Sequence, residues 1–277
     1  SLIRGDGVGY GEPAQIVARV FSPASAADIS ALIRDAVKAS PGMDLMRTSF
    51  DNTFAIYVNG RRRVVTSLTN SDAPDATDPY KTHAAPPAPL GGANDLKDII
   101  WKTGVVQDGV AQAAPNGTDE KLKRIVRAVP GHSVLLDPAG VTETDTYLGL
   151  DGMSHFKVKS DERIDMDQAP SGLGHLAAGI AFCYMTQIGR YIEHQKFNIR
   201  GVRLVQHTPF VTSGNPADGS WTGRAEPADT HLFLSGEEDD ATHEKLMTIA
   251  ANTCYLHATM LATLEPVVAV ELNGSRL

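Results

Sequence analysis

Residues 176–197 read LAAGIAFCYMTQIGRYIEHQKF. Leu176, Ile180, Met185, Ile188 and Ile192 recur there at helical spacing, while Ala177, Ala178, Gly179 and Ala181 are small enough for another element to approach the backbone. Such a helix, predicted from Gly174 to Gln195, belongs at the centre of its domain, and it carries Cys183. A second stretch, HEKLMTIAANTCYLHATML over residues 243–261, is apolar almost all round through Ile249, Ala250, Leu256, Met260 and Leu261. It reads as one helix from Asp240 to Leu264, entered through the acidic run Glu237–Asp240, and it carries Cys254. These are the 2 cysteines of the 277 residues. Taken singly, each reads as a small buried hydrophobe. Taken together, one thiol on each of two central helices reads as a pair that is oxidised and reduced as a unit.

Outward from these helices, strands are predicted at 142–150, 155–159, 202–206, 230–234 and 267–272, with a polar loop through 214–223. Towards the N-terminus a strand is expected at Gln15–Phe21 and a helix at Ala26–Ala39 capped by Ser25. A hairpin follows over Arg47–Leu68, its tight turn formed by Asn59-Gly60. Between Asn70 and Gly92 the composition turns to Pro, Ala, Asp and Thr, as in a connector draped over the surface. Short helices are predicted at Leu96–Trp101 and Asp119–Val129. Strands and helices come in blocks and do not alternate one by one, which favours an α+β fold.

A length prior of roughly 150 residues per domain favours two domains. The expected division is a divergent N-terminal half, 1–141, and a C-terminal domain, 142–277. Glu120, Lys121, Leu122 and Ile125 line up with Glu244, Lys245, Leu246 and Ile249, the trace expected of a duplication. On that reading the first half, with Pro130 in the place of Cys254, is a structural partner without catalysis of its own.

A net charge of -8 argues against nucleic acid or an anionic membrane surface as partner, since both demand basic surface. No apolar run approaches the roughly 20 residues of a membrane span, and the opening SLIRGDGVGYGEP has no hydrophobic export core. The expectation is a soluble, cytoplasmic chain, where a cycling disulfide is more natural than a permanent one. The glycine-rich opening precedes the first strand, the wrong side for a phosphate loop, and reads as a flexible terminus. His155, His194, His207, His231 and His243 are dispersed, so neither a metal nor another cofactor is expected.

The blocks LAAGIAFCYMTQIGRYIEHQKF and LFLSGEEDDATHEKLMTIAANTCYLHATML resemble the OsmC/Ohr family of thiol-dependent peroxidases, as does the interval between their cysteines. The resemblance covers roughly 142–277. It implies an OsmC-like α+β fold, with two central cysteine-bearing helices packed against curved antiparallel sheet. It further implies a homodimer of interlocked chains or, if the N-terminal half stands in for a second subunit, a tandem pseudo-dimer. In this family the first cysteine, here Cys183, attacks an organic hydroperoxide, the second, here Cys254, resolves the sulfenic acid, and a dithiol reductant resets the pair.

The sequence departs from that pattern around both thiols. Family members activate the first cysteine with an arginine paired to a glutamate, yet Gly172, Leu173, Gly174 and His175 occupy the glutamate's region and the motif assigns no arginine. Tyr255 follows Cys254 where the family has proline. Arg61, Arg62 or Arg63 is a candidate cation, as is an imidazolium at His175 or at His257, one helical turn beyond Cys254. Two further readings stand beside the peroxidase: a non-catalytic protein of the same fold that binds a hydrophobic small molecule between the central helices, and a partner-binding protein acting through its proline-rich segment.

Overall fold

The computed structural model describes residues 7–82, 99–107, 117–119, 124–136, 140–163 and 168–277. The chain divides into two compact units, residues 1–86 with 176–277, and residues 87–175. The boundary expected at 141/142 falls inside the second unit. Sequence-distant pairing builds the first unit, since strands from the two ends of the chain lie side by side in both of its larger sheets.

The first unit opens with β1 (Gln15–Val20), α1 (Ala26–Ala39), α2 (Pro41–Arg47), β2 (Thr53–Val58) and β3 (Arg61–Arg63). Ser25 caps α1 by accepting from the Asp28 amide, as its sequence predicts. Ser40 and Pro41 give α2 an equally legible start, although no helix is predicted there. Val58 and Arg61 pair across Asn59 and Gly60, whose φ values of 50° and 80° are those of the tight turn the Asn-Gly dipeptide favours. The described part of the proline-rich segment ends in a single turn, α3 (Pro79–Thr82). It is strapped onto the sheet: Arg62 donates to Ser71 and Ala73 carbonyls and to Asp75, and Arg203 binds Asp78.

The second unit is mostly antiparallel sheet. It contains β4 (Ile100–Val105), β5 (Gly117–Asp119), β6 (Arg124–Val126), β7 (Gly131–Leu135), β8 (Val141–Tyr147) and β9 (Ser154–Asp161), with four of them ordered β4-β9-β8-β7. The predicted helix at Leu96–Trp101 is not formed at its described end, where Trp101 belongs to β4 and pairs with Lys157; residues 96–98 lie outside the described residues. In place of the helix predicted at Asp119–Val129, β5 and β6 form a short hairpin with Thr118 opposite Ile125. Glu120, Lys121 and Leu122 lie outside the described residues. Ile125 is in a strand whereas its aligned partner Ile249 is helical, so that pair shares no secondary structure.

The remaining elements are α4 (Gly172–Gln195), β10 (Ile199–His207), β11 (Phe210–Ser213), β12 (Thr222–Ala225), β13 (Asp229–Gly236), α5 (Asp240–Thr253), α6 (Tyr255–Met260), β14 (Val267–Leu272) and β15 (Ser275–Arg276). From Leu176 onward they belong to the first unit. Its main sheet runs β10-β13-β2-β3, with β2 parallel to β13 and the other pairs antiparallel. β2 is buried on both faces, which explains its unbroken run Phe54–Val58. Phe54, Ile56, Val58, Leu232 and Leu234 pack one sheet face against Tyr184 and Ile188 of α4 and Leu246, Met247 and Ala250 of α5. The core therefore fixes the two cysteine-bearing elements against one sheet.

Candidate active site

The long second helix breaks at its cysteine. Cys254 has φ -72° and ψ 117°, closing α5 and opening α6, where one helix from Asp240 to Leu264 was expected. Its amide still donates to Ala250 and its carbonyl still accepts from Ala258, so the interruption is a single residue wide. The first amides of a helix have no partners within it, and the break creates such a start at Tyr255 and Leu256.

The opening of the chain helps to hold this junction. The Gly9 amide donates to the Asn252 carbonyl, and a Cβ on Gly9 would sit 3.0 Å from the Thr253 oxygen. Only glycine allows so close an approach without displacing the backbone. Over its described part, this segment is packed against α5 and does not behave as the loose terminus its composition predicts.

Cys183 and Cys254 meet here as free thiols, the first half-buried and the second wholly buried. The Cys254 thiol and the backbone amides of Leu256 and Tyr255 favour the charged form of Cys183. Those groups, led by Cys254, outweigh burial and hold Cys183 down at about 6, with the Arg190 charge adding to them. Cys254 is pushed the other way, first by its neighbour Cys183 and then by desolvation. The pair is polarised, Cys183 towards the thiolate and Cys254 towards the protonated thiol.

Arg190 was not a sequence candidate. It lies two helical turns beyond Cys183 on α4, a spacing that returns a side chain to nearly the same face. The three named arginines are not brought to the thiols: Arg62 is engaged by the strap, Arg63 binds Asp240, and Arg61 is exposed at the hairpin end. His257 is brought in, its Nδ1 3.3 Å from the Cys254 sulfur, between the rings of Tyr184 and Phe54. Desolvation depresses it to about 4, so the imidazolium role fails: it is neutral beside the thiols. His175 belongs to the second unit and contacts the Lys159 carbonyl. Among the described residues no cluster of three His, Cys, Asp or Glu side chains is placed to hold a metal.

A polarised pair of thiols between two helices packed on a sheet is the arrangement that invites comparison. Among the solved structures this chain resembles are OsmC-like proteins. An OsmC-like hydroperoxide resistance protein from Jannaschia sp. matches 47% of this chain and 81% of its own, at 16% identity and a TM-score of 0.30. An OsmC-like protein from Mycoplasma pneumoniae matches 50% of this chain and 99% of its own, at 16% identity and a TM-score of 0.33. No protein-family model and no curated protein matches the sequence. No described helix is long and apolar enough to cross a membrane.

Proposed function

We propose that the protein is a thiol-dependent peroxidase that reduces organic hydroperoxides through Cys183 and Cys254. The observation that carries this reading is the packing of half-buried Cys183 against buried Cys254 where α5 gives way to α6. Cys183 is drawn towards the thiolate by a neighbouring thiol, two amides and a cation, while Cys254 is drawn towards its protonated form. Nucleophile and resolving thiol are thereby distinguished before any substrate arrives.

In the first step the Cys183 thiolate attacks the outer oxygen of the hydroperoxide. An S–O bond forms and the O–O bond breaks, leaving a sulfenic acid on Cys183 and an alkoxide that takes a proton to become the alcohol. In the second, the Cys254 sulfur attacks the sulfenic sulfur and releases its proton. The S–OH bond breaks, water leaves, and a disulfide joins the two helices. A dithiol reductant supplies the two electrons and two protons that restore the thiols. Half-burial of Cys183 gives substrate access, and full burial of Cys254 reserves it for the internal step.

The test is one equivalent of cumene hydroperoxide added to the reduced protein, followed by peptide mass spectrometry. The expected product is a single linked peptide pair containing Cys183 and Cys254, lighter than the reduced peptides by two hydrogen atoms. Free thiols, or slow conversion to sulfinic acid without a link, would overturn the proposal.

A further inference from the structure

We propose a second ligand site in the first unit, a groove between α1 and β14 that takes a carboxylate carrying an unbranched hydrocarbon chain. α1 is amphipathic but incompletely covered: of its apolar residues only Ile29 is buried, and Leu32 is 58% exposed. Ile33 and Val37, one turn apart on α1, face Val268 and Val270, alternate residues of β14, across an opening of about 380 Å³. That volume lies at the small end of the roughly 300–1,000 Å³ typical of small-molecule sites.

The rim determines the class of ligand. Arg34, Lys38 and Arg47 border the apolar floor, and the lining holds the Ser30 hydroxyl but neither a carboxylate nor an aromatic ring. Lys38 also donates to the Gly219 carbonyl and Arg47 leans 3.9 Å from Asp44. Arg34, among the described residues, makes no ion pair or side-chain hydrogen bond. Three cations gathered on one groove stand out in a chain of net charge -8. A planar guanidinium fits a carboxylate in bidentate fashion, and the aliphatic floor fits a methylene chain. A nucleotide would find no ring to stack on, and a bare inorganic anion would leave the floor wet.

The test is calorimetric titration of the full chain with decanoate, octanoate, decanol and acetate, each below its micelle concentration. Decanoate should bind once per chain. Each methylene removed should weaken binding about fourfold, and decanol should bind at least about tenfold more weakly. Arg34→Gln and Lys38→Gln, both exposed positions, should weaken decanoate about tenfold each without affecting decanol. Cys183→Ser should leave decanoate binding unchanged, which separates this site from the thiols. Four results would overturn the proposal: no saturable decanoate binding, decanol binding as tightly as decanoate, acetate matching decanoate, or an Arg34→Gln/Lys38→Gln double variant that binds like the parent.

Discussion

Cys183 and Cys254 pack as free thiols in one core cluster, and Cys254 is the neighbour that contributes most to lowering Cys183 to about 6. Because only the thiolate attacks, alkylation by iodoacetamide should target Cys183 first and accelerate as pH rises through about 6, levelling above it. Below that pH the thiolate is protonated and the rate falls. Cys254→Ala removes the largest supporting contact, so its alkylation curve should move to higher pH. Cys254→Ser, which keeps a hydroxyl donor, should move it less. A Cys254→Ala curve that overlays the parent would show that the two sulfurs do not communicate.

Tyr255 gives the departure from the family's proline a physical meaning. Its amide is among the groups that lower Cys183, and proline has no N–H to offer. Tyr255 is also the first residue of α6, where proline is well tolerated, so Tyr255→Pro should fold. The variant should require a higher pH for half-maximal alkylation and lose peroxide turnover at pH 6 more than at pH 8. Tyr255→Phe, which retains the amide, should behave as the parent. Equal profiles for the proline and phenylalanine variants would remove the amide from the account.

Much of this arrangement was legible in the sequence, and the rest has identifiable causes. The stripe Leu176, Ile180, Met185, Ile188, Ile192 and the small residues beside it announce α4, and Ser25 and Asn59-Gly60 mark α1 and the first tight turn at the right residues. The break at Cys254 was hidden because apolar periodicity continues across it. A single extended ψ leaves no compositional trace, and the Gly9 contact that packs the junction comes from the opposite end of the chain. Around Asp119–Val129 local propensity favoured helix, while Thr118 and Ile125 pair as strands, so context outweighed propensity. Arg190 carries no signal beyond its seven-residue spacing from Cys183, which marks a shared helix face but not a role.

Arg190 acts on Cys183 through charge alone and sits exposed on α4, so its effect should be modest. Screened pairs at a surface are worth at most about 1 kcal/mol, which corresponds to roughly a fivefold change in rate. Arg190→Met should slow peroxide reduction at pH 6 by about that factor, Arg190→Lys should restore it, and added salt should shrink the difference. A loss as large as that of Cys183→Ser would mean that Arg190 touches the substrate and does more than tune the thiolate.

His257 supplies a stability prediction with a definite sign. Its ring is 2% exposed, desolvation depresses it to about 4, and its Nε2 has no hydrogen-bond partner among the described residues. Its Nδ1 lies 3.3 Å from the Cys254 sulfur. In the unfolded chain the same ring takes up a proton near 6.5. Between these two values the unfolded state binds more protons than the folded one, so stability is complete above about 6.5 and falls as pH drops towards 4. A depression of this size corresponds to a loss on the order of 3 kcal/mol across that window. His257→Asn has nothing to titrate there. Urea unfolding at intervals from pH 7 to pH 4 should give a variant less stable at pH 7, because its packing between Tyr184 and Phe54 is imperfect, but with a shallower decline, so that the two curves converge on acidification. Parallel curves would mean that His257 takes up its proton as readily in the folded protein as in the unfolded one.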